Sequence, residues 1–168
     1  MITPPKPKST SNRIIGWREW VSLPTLDLPA IKAKVDTGAK TSSLHAYDIH
    51  VVEKHGVEYV RFKVHPLHND VGLEVDCEAP LIEVRVVTDS GGHKEERDVV
   101  GVTLILGRLK KKIELTLTNR LSMKYRMLIG RSALRHFYID PTQSFLTGKS
   151  LKQREFLKKS RNKRADNE

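Results

Sequence analysis

Between residues 14 and 146 the apolar side chains recur mostly at every second position, and this period of two limits the folds open to the chain more than any other feature. Successive side chains of a strand point to opposite faces, so such alternation builds half-buried β-strands rather than helices. The pattern predicts strands over 18–23, 30–35, 43–52, 57–65, 81–88, 96–106, 111–118 and 127–129. Asp89-Ser90-Gly91-Gly92 reads as the tip of a hairpin between two of them, and Gly107-Arg108 as a second turn. Pro24, Pro29, Pro66 and Pro80 punctuate strand edges. Helical signals are confined to 132–137 and to a basic stretch over 151–163. Many short strands at close spacing predict a mainly β protein, a closed barrel or a sandwich, with one or two short helices.

A chain of 168 residues is most simply one domain and can bury a core without staples. Residues 1–13, rich in Pro, Lys, Ser and Thr, read as a disordered basic leader; 14–148 read as the domain; 149–168 read as a basic tail, disordered or helical. The net charge is +10, and eight Lys and Arg between 149 and 164 supply much of it. Such a tail serves solubility first; binding of nucleic acid through it is the less favoured reading, since aromatics are only 6% of the chain and no RNA-module signature is present. The single cysteine, Cys77, cannot form an internal disulfide, which suits a reducing compartment. No run approaches the ~18 apolar residues of a membrane helix, and the first residues lack the apolar core of a secretion signal. The expectation is a cytoplasmic protein with no membrane association.

Chemistry concentrates at Asp36-Thr37-Gly38-Ala39, which closes the alternating run 30–35. A carboxylate at the end of a strand, on a tight turn with glycine, is held in place while neighbouring backbone can approach it. An isolated Asp-Thr-Gly more often marks a structural aspartate capping a turn. Peptide hydrolysis by carboxylates needs two carboxyl groups sharing one proton. The chain has one Asp-Thr-Gly, so the second carboxylate must come from another copy.

The order strand, Asp-Thr-Gly-Ala, glycine-tipped hairpin, two long strands, then Met127-Leu128-Ile129-Gly130-Arg131 and a short helix resembles the retroviral-type aspartic proteases, or retropepsins. The strings from Gly16 to Trp20, from Lys32 to Ala46 and from Leu117 to Arg120 are similar to a bacterial family that carries the label ATP-dependent zinc protease and is also known as a retropepsin-like domain of unknown function. The resemblance implies a closed acid-protease barrel, a two-fold homodimer, and a peptide or protein substrate. It implies Asp36 as the catalytic carboxylate, supported by Thr37 and Gly38, with Thr37 bonding across the two-fold axis. It implies a flap around Ser90, Gly91 and Gly92, and a cleft reached by Ala39, Lys40, Arg97 and Arg131. Ala39 offers the carboxylate no hydroxyl, from which we expect a working range near neutral pH. Lys40 stands where viral enzymes carry an acid that pairs with the arginine matching Arg131; two cations repel, so Arg131 must find another partner or both must serve the ligand. The segment 47–81 is longer than in a minimal viral enzyme. Basic residues near the cleft favour acidic peptides, and the family's link to ligases that add glutamates to a ribosomal protein points to a glutamate-rich tail.

No cofactor follows from these residues, and neither zinc nor ATP does. His-Glu-x-x-His is absent. The secondary alternative is a zinc site from His65, His68, Asp70 and Cys77, whose ligand types suit the metal although Pro66 keeps them off a regular helix. His45 reads as a hydrogen-bonded core histidine, and Trp17 and Trp20 as core or dimer-interface anchors. Besides the homodimeric peptidase, the residues leave open a non-catalytic peptide-binding module of the same fold.

Overall fold

Strand β3 (Leu28–Val35) shows how the alternation is used: Ile31 and Ala33 are buried, while Lys32 and Lys34 face away from the core. The computed structural model describes residues 13–68, 70 and 72–166, so the expected leader lies outside the described residues except for Arg13. Strand β2 (Arg18–Leu23) runs antiparallel to β3 across the single-turn helix Pro24–Leu26. The chain continues through β4 (Ser42–His45), β5 (Tyr47–Lys54), β6 (Val57–Val64), β7 (Val75–Thr88), β8 (Lys94–Leu106), β9 (Leu109–Thr118) and β10 (Met127–Ile129). Helix α1 (Arg131–Leu134) follows, and β1 (Ile14–Gly16) pairs in parallel with β11 (Tyr138–Asp140) in a ribbon of its own.

Six strands close into a barrel in the order β2-β3-β10-β4-β9-β8, shut by the pairing of Ser22 with Ile105. The short strand β10 is inserted between β3 and β4, parallel to the first and antiparallel to the second. Inside lie Leu23, Ile31, Leu44, Leu104, Leu115, Met127 and Ile129, all nearly free of solvent contact. Burying each such side chain contributes about 1.5–3 kcal/mol, which offsets the entropy of ordering the strands. Beyond the ring, β7, β6 and β5 extend the sheet as an arm.

Two sequence expectations are corrected, and two strands go unread in the sequence. The run 43–52 is two strands: Ala46 is buried, its N–H donates to the Thr118 carbonyl (3.0 Å), and Asp48 turns the chain with φ of 52°. Strand β7 starts at Val75 rather than 81; Pro80 reads as a breaker, yet over 75–80 the strand is paired on one side only, and an edge tolerates proline. Strands β1 and β11 are three residues each, too short to carry a readable period.

The basic stretch forms α2 (Leu151–Ala165), docked against β3. Ser150 Oγ accepts from the Gln153 N–H (3.2 Å) while Gln153 Oε1 accepts from the Ser150 N–H (2.8 Å), a reciprocal N-terminal cap. Gln153 Nε2 also donates to Ser22 Oγ (3.1 Å), and Arg164 pairs with Asp70 (3.1 Å) near the other end. Among the described residues no helix is long and apolar enough to cross a membrane.

Candidate active site

Asp36 sits where β3 leaves the barrel, and its turn is held from several sides. Its N–H donates to the Ile129 carbonyl (2.9 Å), its carboxylate Oδ1 accepts from the Gly38 N–H (3.0 Å), and its carbonyl accepts from the Ala39 N–H (3.3 Å). The side chain is half-buried, and Thr37 and Gly38 are exposed. Gly130 closes the far side: a Cβ there would lie 2.6 Å from the Thr41 carbonyl carbon, so only glycine lets β10 pass this close. Its N–H donates to Ser42 Oγ (3.0 Å).

Arg131 resolves the question raised by Lys40. Its guanidinium donates from Nη1 to the Thr37 carbonyl oxygen (3.0 Å), and its N–H donates to the Ala39 carbonyl (2.8 Å). The arginine thus braces the aspartate's turn through backbone carbonyls, with no acid partner among the described residues. The Lys40 side chain is exposed, and its carbonyl accepts from the Ser132 N–H (3.0 Å).

Residues opposite one another in a sheet share a face. The register therefore lays one continuous row outside the barrel: Arg18 opposite Lys34, Lys34 opposite Leu128, Leu128 opposite Ser43, Ser43 opposite Thr116, Thr116 opposite Val99, and Val99 opposite Glu83. Lys34 lies on this row, two residues before Asp36, which follows the last residue of β3. One position along, Trp20 stands opposite Lys32, His45 opposite Thr118, and Arg97 opposite Arg85. The Asp36 turn therefore follows directly on a sheet face rich in Arg and Lys.

Ser90, Gly91 and Gly92 form the exposed tip of the β7–β8 hairpin, where Gly92 adopts φ of 81°. Asp89 Oδ1 accepts from the N–H groups of Gly91 and His93 (2.9 Å each). The His93 and Gly91 backbone donors hold its carboxyl below the usual carboxylate range. Lower on the hairpin, Arg85 Nη1 donates to Thr41 Oγ1 (3.2 Å), five residues past Asp36, while Nη2 meets Glu114 (3.0 Å). Arg97 is buried, and its Nε donates to Glu95 (2.8 Å); the same carboxylate accepts from the Thr118 hydroxyl (3.3 Å). Arg97 is thus already committed to an acid of its own strand.

The alternative metal ligands do not come together; among the described residues no three His, Cys, Asp or Glu are grouped to hold an ion. His65 Nδ1 lies 3.1 Å from the Leu73 carbonyl, and Asp70 is spent on Arg164 and on the N–H groups of Gly72 and Leu73. Cys77 is buried on β7, donates to the Leu26 carbonyl (3.5 Å), and burial pushes its thiol up to about 12. These residues do not fit a zinc site.

His45 is fully buried, and its Nδ1 accepts from the Arg120 N–H (3.0 Å). Burial first, and then the Arg126 guanidinium, holds its pKa below the ordinary histidine value. Two important residues escaped sequence reasoning. Glu19 is completely buried and accepts from the Gly16, Leu146 and Thr147 N–H groups (2.8–2.9 Å) and from the Thr147 hydroxyl (2.9 Å). Arg126 is 5% exposed, and its Nε and Nη1 have no hydrogen-bond partner among the described residues. A buried polar residue in an otherwise ordinary strand or loop carries no local signal, so nothing in the sequence marks either.

A closed six-stranded barrel, an Asp-Thr-Gly turn at the end of β3, and an apolar-apolar-Gly strand threaded between β3 and β4 define the retropepsin-like class. Within it, the chain belongs to the RimB-like family, described as the retropepsin-like aspartic endopeptidase RimB, which matches residues 14–150. A probable alpha-L-glutamate ligase of Desulfotalea psychrophila is 44% identical over 144 residues, 85% of this chain and 31% of the relative. Another from Parasynechococcus marenigrum is 46% identical over 140 residues, 83% of this chain and 30% of the relative. The chain therefore spans less than a third of the length of these curated relatives. The crystal structure of Lpg0085, a Legionella pneumophila protein of unknown function (DUF785), superposes with a TM-score of 0.67 at 33% identity, covering 81% of this chain and 98% of that one.

Proposed function

We propose that this chain is a retropepsin-like aspartic peptidase, that its active site forms across a homodimer with one Asp36 from each copy, and that it cleaves acidic, glutamate-rich peptides. The observation that carries this reading is the half-buried Asp36 carboxylate on a turn braced by its own backbone and by Arg131. A single copy holds half of the machinery, because hydrolysis needs two carboxyl groups about 3 Å apart sharing a proton.

In such a pair one carboxylate takes a proton from a water molecule as the water oxygen bonds to the scissile carbonyl carbon. The other carboxyl gives its proton to the carbonyl oxygen, and a tetrahedral diol results. On collapse the first group returns its proton to the leaving nitrogen, the second takes one from a diol hydroxyl, and the C–N bond breaks. The pair is then back in its starting state, and titrates as one coupled unit throughout.

The substrate class is supported by the cations on the sheet face that leads to the Asp36 turn, since Arg and Lys pair with carboxylates. The relatives' names point the same way: a peptidase-like segment within proteins named for glutamate ligation fits a substrate carrying glutamates. A lone thiol fits work in the cytoplasm. A second reading keeps the cleft without the chemistry, because the cationic face would grip an acidic chain whether or not Asp36 turned it over.

The test is peptide cleavage followed by mass spectrometry, with Asp36→Asn beside the parent and the mass of both in solution. The parent should release product from a glutamate-rich peptide, the variant should release none, and both should sediment as dimers with equal melting temperatures. A strictly monomeric parent sinks the dimer site. Affinity without turnover in the parent selects the binding module.

A further inference from the structure

A cavity of about 290 Å³ opens between β2, β3, the loops around residues 67 and 125, and helix α2. Its wall carries six cations, Arg18, Lys32, Lys124, Arg126, Lys149 and Arg161, and none of the six forms an ion pair among the described residues. A seventh, Arg164, is neutralised by Asp70. A larger cavity of about 520 Å³ beside β6 and β7 is different in kind: Asp27, Asp48, Asp76 and Glu78 line it against Arg61 and Lys63, so its lining is net acidic.

Arg126 is the telling residue. The side chain is nineteen-twentieths buried, it lines the cavity, and among the described residues its Nε and Nη1 are unpartnered and Nη2 reaches only the His68 carbonyl at 3.5 Å. A guanidinium stays charged at any physiological pH, and a buried charge without a partner is costly. The neighbouring cations do not relieve it. Arg18 is packed between the rings of Trp17 (4.5 Å) and Phe145 (4.8 Å), and Lys32 and Lys149 stand over Trp20 (5.3 and 5.7 Å). These contacts hold the cations in place and leave their charge uncompensated.

We infer that this cavity is a second binding site, outside the Asp36 turn, that takes side-chain carboxylates of an acidic peptide, with Arg126 as the central fork. The inference rests on the acidic-peptide reading for its substrate, and it assigns where the chain is held. Arg18 and Lys32 stand on the same sheet face as Lys34, two residues before Asp36, so a peptide anchored here continues toward the catalytic turn. A guanidinium suits a carboxylate because two parallel N–H donors match its two oxygens; in Arg126 such a pair needs Nη2 beside Nε or Nη1, and Nη2 is held only by the long contact to the His68 carbonyl. Nucleic acid fits less well. Single-stranded recognition needs open aromatic faces on which bases stack, and here Trp20 is stacked on Phe145 and faced by Lys32 and Lys149.

The site is tested on the full chain carrying Asp36→Asn, so that nothing is cleaved during titration. A short oligo-glutamate peptide is titrated against it by calorimetry, with oligo-glutamine as the neutral control. Binding of the acidic peptide only is expected, weakened at least tenfold by Arg126→Gln. Because Arg126 is buried and its substitution risks misfolding, the double variant Lys124→Ala/Lys149→Ala, at two exposed positions, is measured in parallel and should also weaken binding. Unchanged affinity in a folded Arg126→Gln protein and in the double variant overturns the site. So does displacement of the peptide by a single-stranded RNA of equal charge at lower concentration, which would assign the cavity to nucleic acid. The two readings separate cleanly. Cleavage that persists with no dependence on these cations removes the second site and leaves the peptidase, whereas cation-dependent binding with no turnover in the parent does the reverse.

Discussion

The Arg131 guanidinium donates to the carbonyl oxygen of Thr37 across 3.0 Å, joining the start of α1 to the turn that carries Asp36. This one bond links segments 94 residues apart in sequence. An arginine placed near the proposed catalytic turn thereby acts on the turn's geometry.

Arg131→Ala should therefore lower kcat by ~10- to 100-fold with KM little changed, because a carboxylate misplaced by a fraction of an ångström loses its alignment. The bond is solvent-exposed, so stability should fall by no more than about 1 kcal/mol. Steady-state kinetics beside a urea melt separates the two effects; a KM change alone would assign Arg131 to the substrate.

Gly130→Ala places a methyl group 2.6 Å from the Thr41 carbonyl carbon, against backbone that cannot swing aside. Strand β10 would have to shift away from the turn. A loss of ~3 kcal/mol is expected, at the upper end of overpacking costs, read as a lower urea midpoint with the slope unchanged.

Glu19→Gln replaces one oxygen of a buried acceptor that serves four donors. The new amide presents N–H groups to N–H groups, which leaves donors unsatisfied at about 1–3 kcal/mol. Thermal unfolding should report the loss. The segment around Thr147 that leads into α2 should become more accessible in hydrogen exchange.

Stability should fall as pH drops below about 6.5, the ordinary histidine pKa that His45 has when unfolded. The folded pKa is lower, so between the two values the unfolded chain binds the extra proton and is favoured. Above the unfolded value both states are neutral and the effect vanishes. Urea midpoints from pH 8 to pH 5 should show this slope, and His45→Gln should flatten it.

The strands were readable in the sequence because alternation is local: whether Lys32 points out and Ile31 in depends only on their being neighbours. The hairpin tip at Asp89–Gly92 was readable for the same reason, as was the Asp36 turn, where Asp, Thr and Gly act through bonds two or three residues long. The break at Ala46 and the short strands β1 and β11 were not, because the bonds that define them come from residues far along the chain.

Residue order thus decided that this chain builds twisted strands with a carboxylate at the end of one of them. Only the closed barrel decided which strands lie side by side. The insertion of β10 between β3 and β4, the gathering of Arg18, Lys32 and Arg126 around one cavity, and the lack of an acid beside Arg126 among the described residues all depend on the register between distant segments. Register is set by the packing of a whole core, and no stretch of neighbouring residues contains it.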